Sequence, residues 1–215
     1  GLEDAAWSAP SSTDKKLPYG LPYWIVKNAT TGFTGGYPSG HTTLAGIDLT
    51  TAPTFYNYCD QYTAVTKADL VTKMRLAYRK IRFKSPVQGK DYAKPLADKY
   101  RIYTNDTVIQ SLEGVGEAQN ENLGRDIASV HAGDVKNMED GAVLFRGNPI
   151  LWVPKLDSDT TNPVYMVDHS TFMPVSLKGD FMRESEVRTA PNQHNVFQVF
   201  VDLTYNYLCL DRRRN

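Results

Sequence analysis

The sequence contains little cysteine, no long apolar run and no excess of charge, and each absence excludes a class of protein. Its two cysteines, Cys59 and Cys209, form neither a CxxC motif nor a zinc-ligand spacing. We therefore expect reduced, partly buried thiols rather than a disulfide framework. No stretch approaches the roughly 18 apolar residues of a membrane-spanning helix, so we expect no membrane partner.

The charge balance argues against tight binding of nucleic acid. There are 24 basic and 24 acidic residues, so the formal net charge is zero. A protein that holds DNA through its phosphates needs a basic excess somewhere. The only basic run is Arg212-Arg213-Arg214, which we interpret as a solvated tail.

The bulk composition is that of a folded protein, with 41% hydrophobic and 22% charged residues. A chain of 215 residues suits one large domain or two small ones. It begins Gly1-Leu2-Glu3-Asp4, with no initiator methionine and no signal-peptide pattern. We therefore expect the parent chain to be longer on the N-terminal side.

The first half of the chain predicts a loop-rich segment followed by a helix. Residues 1–60 are rich in Pro, Gly, Ser and Thr, and Thr30–Gly46 is typical of a long loop or β-excursion. We expect this segment to lie as an extended arm on other protein. Apolar residues spaced by 3 and 4 then predict a helix over Lys67–Ile81, capped by Thr66, with a solvated basic face.

The middle of the chain predicts a mixed α+β unit. We expect a strand at Tyr100–Tyr103, then a helix capped by Asn105 that runs through Leu112 and ends near Gly114. Glu117–Ile127 could add further helical turns. Two short β-strands, Ala142–Phe145 and Ile150–Val153, are then predicted on either side of a turn at Gly147-Asn148-Pro149. Two further short strands are predicted at Val164–Val167 and Phe172–Lys178.

The C-terminal part has an unusually long alternation of apolar and polar residues. From Phe197 to Cys209 every second residue is apolar or aromatic. This period predicts a single strand over Val196–Leu210 with one buried face, roughly 50 Å long at 3.3 Å per residue. A strand of that length would serve an elongated subunit.

An alternative prediction is a phosphatase of the haloperoxidase and lipid-phosphatase type. Pro38-Ser39-Gly40-His41 matches the central motif of that superfamily, and Arg125 precedes His131 by the spacing of its third motif. However, no Arg-Pro of the first motif occurs, and position 135 is Val where the family has Asp. Phosphate chemistry at such a site needs the lysine and arginine of the first motif to hold the oxyanions.

Other apparent motifs predict no catalytic, cofactor or metal site. Asp157-Ser158-Asp159-Thr160 resembles a phosphotransferase loop, but Pro154-Lys155 interrupts the strand that should precede it, so we expect an exposed polar loop. Gly114-x-Gly116 lacks a third glycine. The four histidines, at positions 41, 131, 169 and 194, share no metal-ligand spacing.

A series of segments occurs in a characteristic order: Leu2–Trp7, Tyr62–Arg75, Phe145–Pro154, Leu156–Thr160, Asn162–Tyr165, Lys178–Gly179, Pro191–His194 and Asp211–Asn215. Together they resemble the major capsid proteins of tailed phages with the Hong Kong 97 capsid fold. In this resemblance Leu2–Trp7 matches the end of the spine helix, and Tyr62–Arg75 matches the helix that opens the axial domain. The resemblance covers essentially the whole chain.

The resemblance implies an architecture and a structural, non-enzymatic function. Residues 1–62 and 166–215 would form the peripheral domain, and residues 63–165 an inserted axial domain. Many copies would assemble as pentamers and hexamers into an icosahedral shell that contacts its packaged DNA weakly. Scaffold and portal proteins are possible partners, and the protein would reside in the virion after assembly in the host cytoplasm. The family's N-terminal arm and extended loop, which precede the spine helix, are missing here.

Overall fold

The computed structural model describes residues 2–14, 16–82, 100–116, 135–137, 143–191 and 195–215. Within them the chain is a mixed α+β protein with a few short helices and several small sheets. This confirms the predicted α+β class. The proposed helix over Glu117–Ile127 lies outside the described residues.

The helices are short, and side chains cap two of them. They are α1 (Leu2–Ala6), α2 (Leu21–Trp24), a π-helical segment (Lys67–Val71) that continues into α3 (Thr72–Ile81), and α4 (residues 106–116). Thr66 Oγ1 accepts a hydrogen bond from Asp69 N at 3.2 Å, and Asn105 Oδ1 accepts one from Val108 N at 3.2 Å. Both predicted caps are therefore confirmed.

Helix α4 runs slightly past its predicted end near Gly114. It reaches at least residue 116, the last described residue of this stretch, and Gly114 does not adopt the left-handed conformation that often ends helices.

A five-stranded sheet lies at the centre of the molecule. Its spatial order is β4 (Val135–Asn137), β5 (Val143–Phe145), β6 (Asn148–Trp152), β3 (Tyr100–Thr104) and β7 (Val164–Asp168). Strands β3 and β6 are parallel, and the other pairs are antiparallel. The β5–β6 turn is Arg146-Gly147 rather than the predicted Gly147-Asn148-Pro149. Both central residues have positive φ, 49° and 79°, as tight hairpin turns require.

The loop-rich N-terminal part packs on the chain's own core, which corrects the expectation that it lies on other protein. Leu21, Trp24, Leu44 and Leu49 are buried. Strand β1 (Gly32–Gly35) pairs antiparallel with β2 (Asn57–Cys59). Apolar burial within one chain therefore fixes this segment.

Two hydrophobic clusters form the core. The first joins the N-terminal segment to the C-terminal half: Leu21, Tyr23, Trp24, Ile25, Leu44, Val153, Leu156, Tyr165, Val167, Phe172 and Cys209. The second lies between α3, α4 and the central sheet: Leu70, Val71, Met74, Ile102, Val108, Leu112, Val143, Phe145 and Ile150. The division of the chain into peripheral and axial domains stays a prediction.

The predicted long strand over Val196–Leu210 is wrong. The segment forms β11 (Phe197–Gln198), β12 (Val201–Asp202) and β13 (Tyr205–Cys209), with irregular residues between them. They pair in turn with β10 (Arg188–Thr189), β9 (Arg183–Glu184) and β8 (Phe172–Ser176). Gly179, Met182 and Asn195 have positive φ, and these conformations interrupt the ribbon. The result is one long, irregular β-hairpin.

Candidate assembly surface

The outer part of the hairpin, residues 177–191 and 195–204, is called the arm below. Ala190 is the only buried residue among those that the structure describes there. The arm contributes nine of the sixteen large hydrophobic residues exposed in the described chain: Leu177, Phe181, Met182, Val187, Val196, Phe197, Val199, Phe200 and Val201. The main feature of this surface is therefore exposed apolar side chains, with no layer from the described residues covering them.

The outer part of the alternating stripe is exposed, which corrects the prediction of a buried face there, whereas Cys209 at its inner end is buried. Phe197, Val199 and Val201 are 68%, 49% and 56% exposed. Phe197 is opposite Thr189 on the paired strand, and Val201 is opposite Glu184. Because the ribbon has only two strands and no second layer among the described residues, neither of its faces is buried by them.

The exposed apolar area is large enough for a protein interface. The nine residues are 40–68% exposed, and summed over the arm they expose on the order of 800 Å². Monomeric proteins rarely expose contiguous apolar patches above a few hundred Å². A standard interface buries about 800 Å² on each partner.

The charges on the arm nearly balance. The basic residues are Lys178, Arg183 and Arg188, and the acidic residues are Asp180, Glu184, Glu186 and Asp202. Arg183 lies 3.4 Å from Asp180 and 3.3 Å from Asp202, in exposed ion pairs that add little stability. The surface therefore favours an apolar protein partner over a polyanion.

The base of the arm is anchored in the first hydrophobic cluster. The rings of Phe172 and Tyr207 stack with centroids 5.6 Å apart. Trp24 Nε1 donates to the backbone oxygen of Tyr207 at 3.2 Å, and Cys209 is buried beside them. The arm thus starts from a packed support.

The basic run at the end of the chain is not a solvated tail, so that prediction is wrong for Arg212. This side chain is 0% exposed and donates to five oxygen acceptors. Arg213 stacks over the ring of Phe33 at 4.1 Å, and Arg214 lies 3.7 Å from Asp168. The sequence gave no signal that Arg212 is buried, because its five acceptors lie more than 150 positions away along the chain.

Of the three residues of the alternative phosphatase site, only His41 is among those that the structure describes. His41 Nε2 lies 2.9 Å from the backbone oxygen of Pro10, and its ring contacts Tyr19 and Tyr23 edge-on. Arg125 and His131, which would complete that site, lie outside the described residues. The structure therefore gives His41 a local packing role and does not test the proposed triad.

The Asp157–Thr161 loop holds neighbouring segments together, as expected for a polar loop. Asp157 Oδ1 accepts from Asp106 N at 2.9 Å, and Asp157 Oδ2 accepts from Trp152 Nε1 at 3.0 Å. Asp159 forms an ion pair with Lys27 and accepts from Thr161. Each carboxylate is engaged by hydrogen bonds within the loop's surroundings.

The remaining histidines and the basic helix face show ordinary contacts. His169 Nε2 lies 2.7 Å from Tyr103 Oη, and burial lowers the pKa of this histidine. His194 lies outside the described residues. In the part of the chain that the structure describes, no group of three His, Cys, Asp or Glu side chains could hold a metal ion.

On the helix over Lys67–Ile81, Lys73 forms an ion pair with Asp69 at 2.6 Å, while Arg79 and Lys80 are exposed.

A groove of about 570 Å³ lies between α3 and strands β2 and β7. Helix residues Leu70, Met74 and Ala77 form one wall, and Tyr165 lies on the other side. Cys59 also lines it, and burial raises the pKa of that thiol, which disfavours the nucleophilic thiolate.

No protein-family model, curated protein or solved structure matches this chain. Among the described residues, no helix is both long and apolar enough to cross a membrane. The arm therefore has to be interpreted from its own chemistry.

Proposed function

We propose that this chain is a shell-forming subunit, a major capsid protein of the Hong Kong 97 type that assembles into the icosahedral shell around phage DNA. The observation that carries the proposal is the arm, which exposes nine large hydrophobic side chains. An enzyme needs no such surface, whereas a subunit that packs against copies of itself does.

The instability expected of an isolated ribbon supports this proposal. A two-stranded hairpin is at best marginally stable in water, because it has no layer against which to bury its apolar residues. Packing the arm on a neighbouring subunit would remove the exposed apolar area from water. The near-neutral charge of the arm removes the repulsion that would oppose contact between identical copies.

The arrangement of the core also fits the proposed capsid architecture. All buried members of the second hydrophobic cluster fall between residues 70 and 150, inside the proposed axial domain 63–165. The first cluster combines residues 21–44 with residues 153–172 and Cys209, so Val153, Leu156 and Tyr165 pack with the proposed peripheral domain although they precede its predicted boundary at 166. An axial domain inserted into the sequence of a peripheral domain would produce two hydrophobic clusters of this kind.

The proposed contacts with other partners follow from charge. With equal numbers of basic and acidic residues, the chain has no overall attraction for DNA, so contacts with a packaged genome would be weak and non-specific. Scaffold and portal proteins would be further partners of an assembling shell. No cofactor or metal enters this function.

Self-association of the 215-residue chain tests the proposal. The double variant Phe197→Asp with Phe200→Asp places charges on the arm, and Gln198→Asp is the matched control on the same strand. Sedimentation velocity and negative-stain electron microscopy would follow concentration-dependent rings or shells. We expect the unaltered chain and the control to associate and the double variant to remain monomeric.

Two results would overturn the proposal. One is a chain that stays monomeric at high concentration with its arm unaltered. The other is hydrolysis of a generic phosphate ester that His131→Ala abolishes, which would favour the phosphatase.

A further inference from the structure

Arg212 is enclosed by oxygen acceptors from three separate segments of the N-terminal part. Its Nη1 donates to Phe55 O at 3.0 Å, and its Nη2 lies 3.2 Å from Gly35 O, 3.1 Å from Gly36 O and 2.7 Å from Asn57 Oδ1. Its Nε donates to Trp24 O. All three guanidinium nitrogens are therefore bound.

These acceptors are all neutral. Four are backbone carbonyls and one is a side-chain amide oxygen, and no carboxylate forms an ion pair with Arg212 among the residues that the structure describes. The guanidinium carbon also lies 5.6 Å from the centre of the Phe55 ring, within cation–π distance. Burial lowers the pKa of Arg212 to about 10, which still leaves the group charged at neutral pH.

The position of Arg212 connects this contact to the arm. Arg212 follows β13 by three residues, and β13 pairs along its length with β8 at the base of the arm. The acceptors lie in α2, at the end of β1 and just after it, in the turn at Pro53–Phe55, and in β2. Arg212 therefore ties the end of β13 to the N-terminal part, in addition to the hydrogen bond from Trp24 Nε1 to Tyr207 O and the packing of the first hydrophobic cluster.

We propose that the oxygens of Trp24, Gly35, Gly36, Phe55 and Asn57 form a guanidinium-binding site, and that Arg212, by filling it, acts as a positioning residue that fixes the direction of the arm. The binding site rests only on the contacts above. The importance of the arm's direction for contacts between copies of the chain rests on the proposed function.

The site discriminates between the guanidinium of arginine and the ammonium of lysine. A guanidinium is planar and presents five N–H donors in a fixed fork, which matches acceptors spread around it. An ammonium presents three donors from a single atom and would leave buried carbonyls without partners. Arg212→Lys is therefore expected to fail although it keeps the charge.

The test measures the direction of the arm and its rescue by a small cation. Spin labels on unnatural keto amino acids at Glu186, on the arm, and Thr72, on α3, leave both native thiols unchanged. The pair is placed in the monomeric Phe197→Asp/Phe200→Asp background, and the distance distribution is measured by pulsed electron spin resonance. We expect a narrow distribution with Arg212 and a broad one with Arg212→Ala or Arg212→Lys.

Millimolar guanidinium should narrow the distribution of Arg212→Ala, whereas methylammonium or urea at the same concentration should not. If Arg212→Ala is partly unfolded, guanidinium should raise its melting temperature by binding the folded state, and it should not stabilise the unaltered chain. A narrow distribution without Arg212, or equal effects of guanidinium and methylammonium, would refute the proposal. Because the measurement uses monomers, it is independent of whether the chain forms shells.

Discussion

A Cβ atom on Gly35 would lie 2.0 Å from Oδ1 of Asn57, far inside the contact distance of real side chains. Asn57 is fully buried, and its amide joins three parts of the fold. Its oxygen accepts from Arg212 at 2.7 Å and from Val26 N at 3.2 Å, and its nitrogen donates to Val26 O at 3.0 Å. Only glycine at position 35 lets Asn57 occupy this place.

Gly35→Ala should therefore destabilise the protein by about 2–3 kcal/mol, because the added methyl group must displace a buried amide that cannot move without losing hydrogen bonds. Gly36→Ala is the matched control, since its Cβ would meet nothing closer than 3.7 Å, the ordinary contact distance to Tyr56. We expect that control to change the unfolding free energy by less than about 0.5 kcal/mol. Urea unfolding measures both, and equal effects would contradict the close contact.

Thr66→Ala should cost about 1 kcal/mol of stability, since the residue caps the helix that begins at Lys67 by accepting from Asp69 N. Thr72→Ala is a control in the same helix, where the hydroxyl donates back to Lys67 O at 2.9 Å and alanine is the better helix former. The control should be neutral or slightly stabilising in the same urea experiment. A larger loss at position 72 than at position 66 would speak against the cap.

The two cysteine thiols should resist alkylation in the folded protein. Both are buried, and burial raises the pKa of Cys209 to about 12 and also raises the pKa of Cys59. The reactive thiolate is therefore scarce at pH 8, and we expect labelling at least about a hundredfold slower than in the unfolded chain. Reaction with a disulfide reagent, followed by absorbance with and without denaturant, measures this ratio. Fast labelling of the native protein would show that these sites open.

Acidic pH should destabilise the fold through His169. Burial and the charge of Arg101 lower the pKa of His169 below its ordinary value, although Asp168 opposes the shift. Below pH 6.5 the unfolded chain binds a proton that the folded chain takes up less readily, so stability is lost as the pH falls through the folded pKa. His169→Gln should reduce the decrease in urea midpoint between pH 7.5 and pH 5. An unchanged pH dependence in this variant would assign it to other groups.

Local signals in the sequence predicted much of the fold. Thr66 and Asn105 cap helices with their own side chains, and a cap depends only on the next three residues, so both were predictable. Strands at Tyr100–Thr104 and Val164–Asp168 follow from short runs rich in aromatic and β-branched residues.

Two features of the candidate site could not be predicted for physical reasons. The burial of Arg212 depends on acceptors in residues 24–57, and nothing in a basic run indicates contacts so distant along the chain. The alternation from Phe197 to Val201 predicted a buried face, and these side chains are instead exposed. A period of two does not reveal whether the covering surface belongs to the same chain.

The irregular register of the hairpin limits how its exposed arm can pair with the edge of another chain. Between the pairs Ser176–Tyr205 and Arg183–Asp202 the first strand advances seven residues while the second advances three. A flat, regular ribbon would be a template on which identical chains stack into cross-β fibres. The four extra residues bend the backbone, so the hydrogen-bonding groups of its edges stay aligned for only a few residues at a time. We therefore expect the arm to form cross-β fibres less readily than a regular ribbon would.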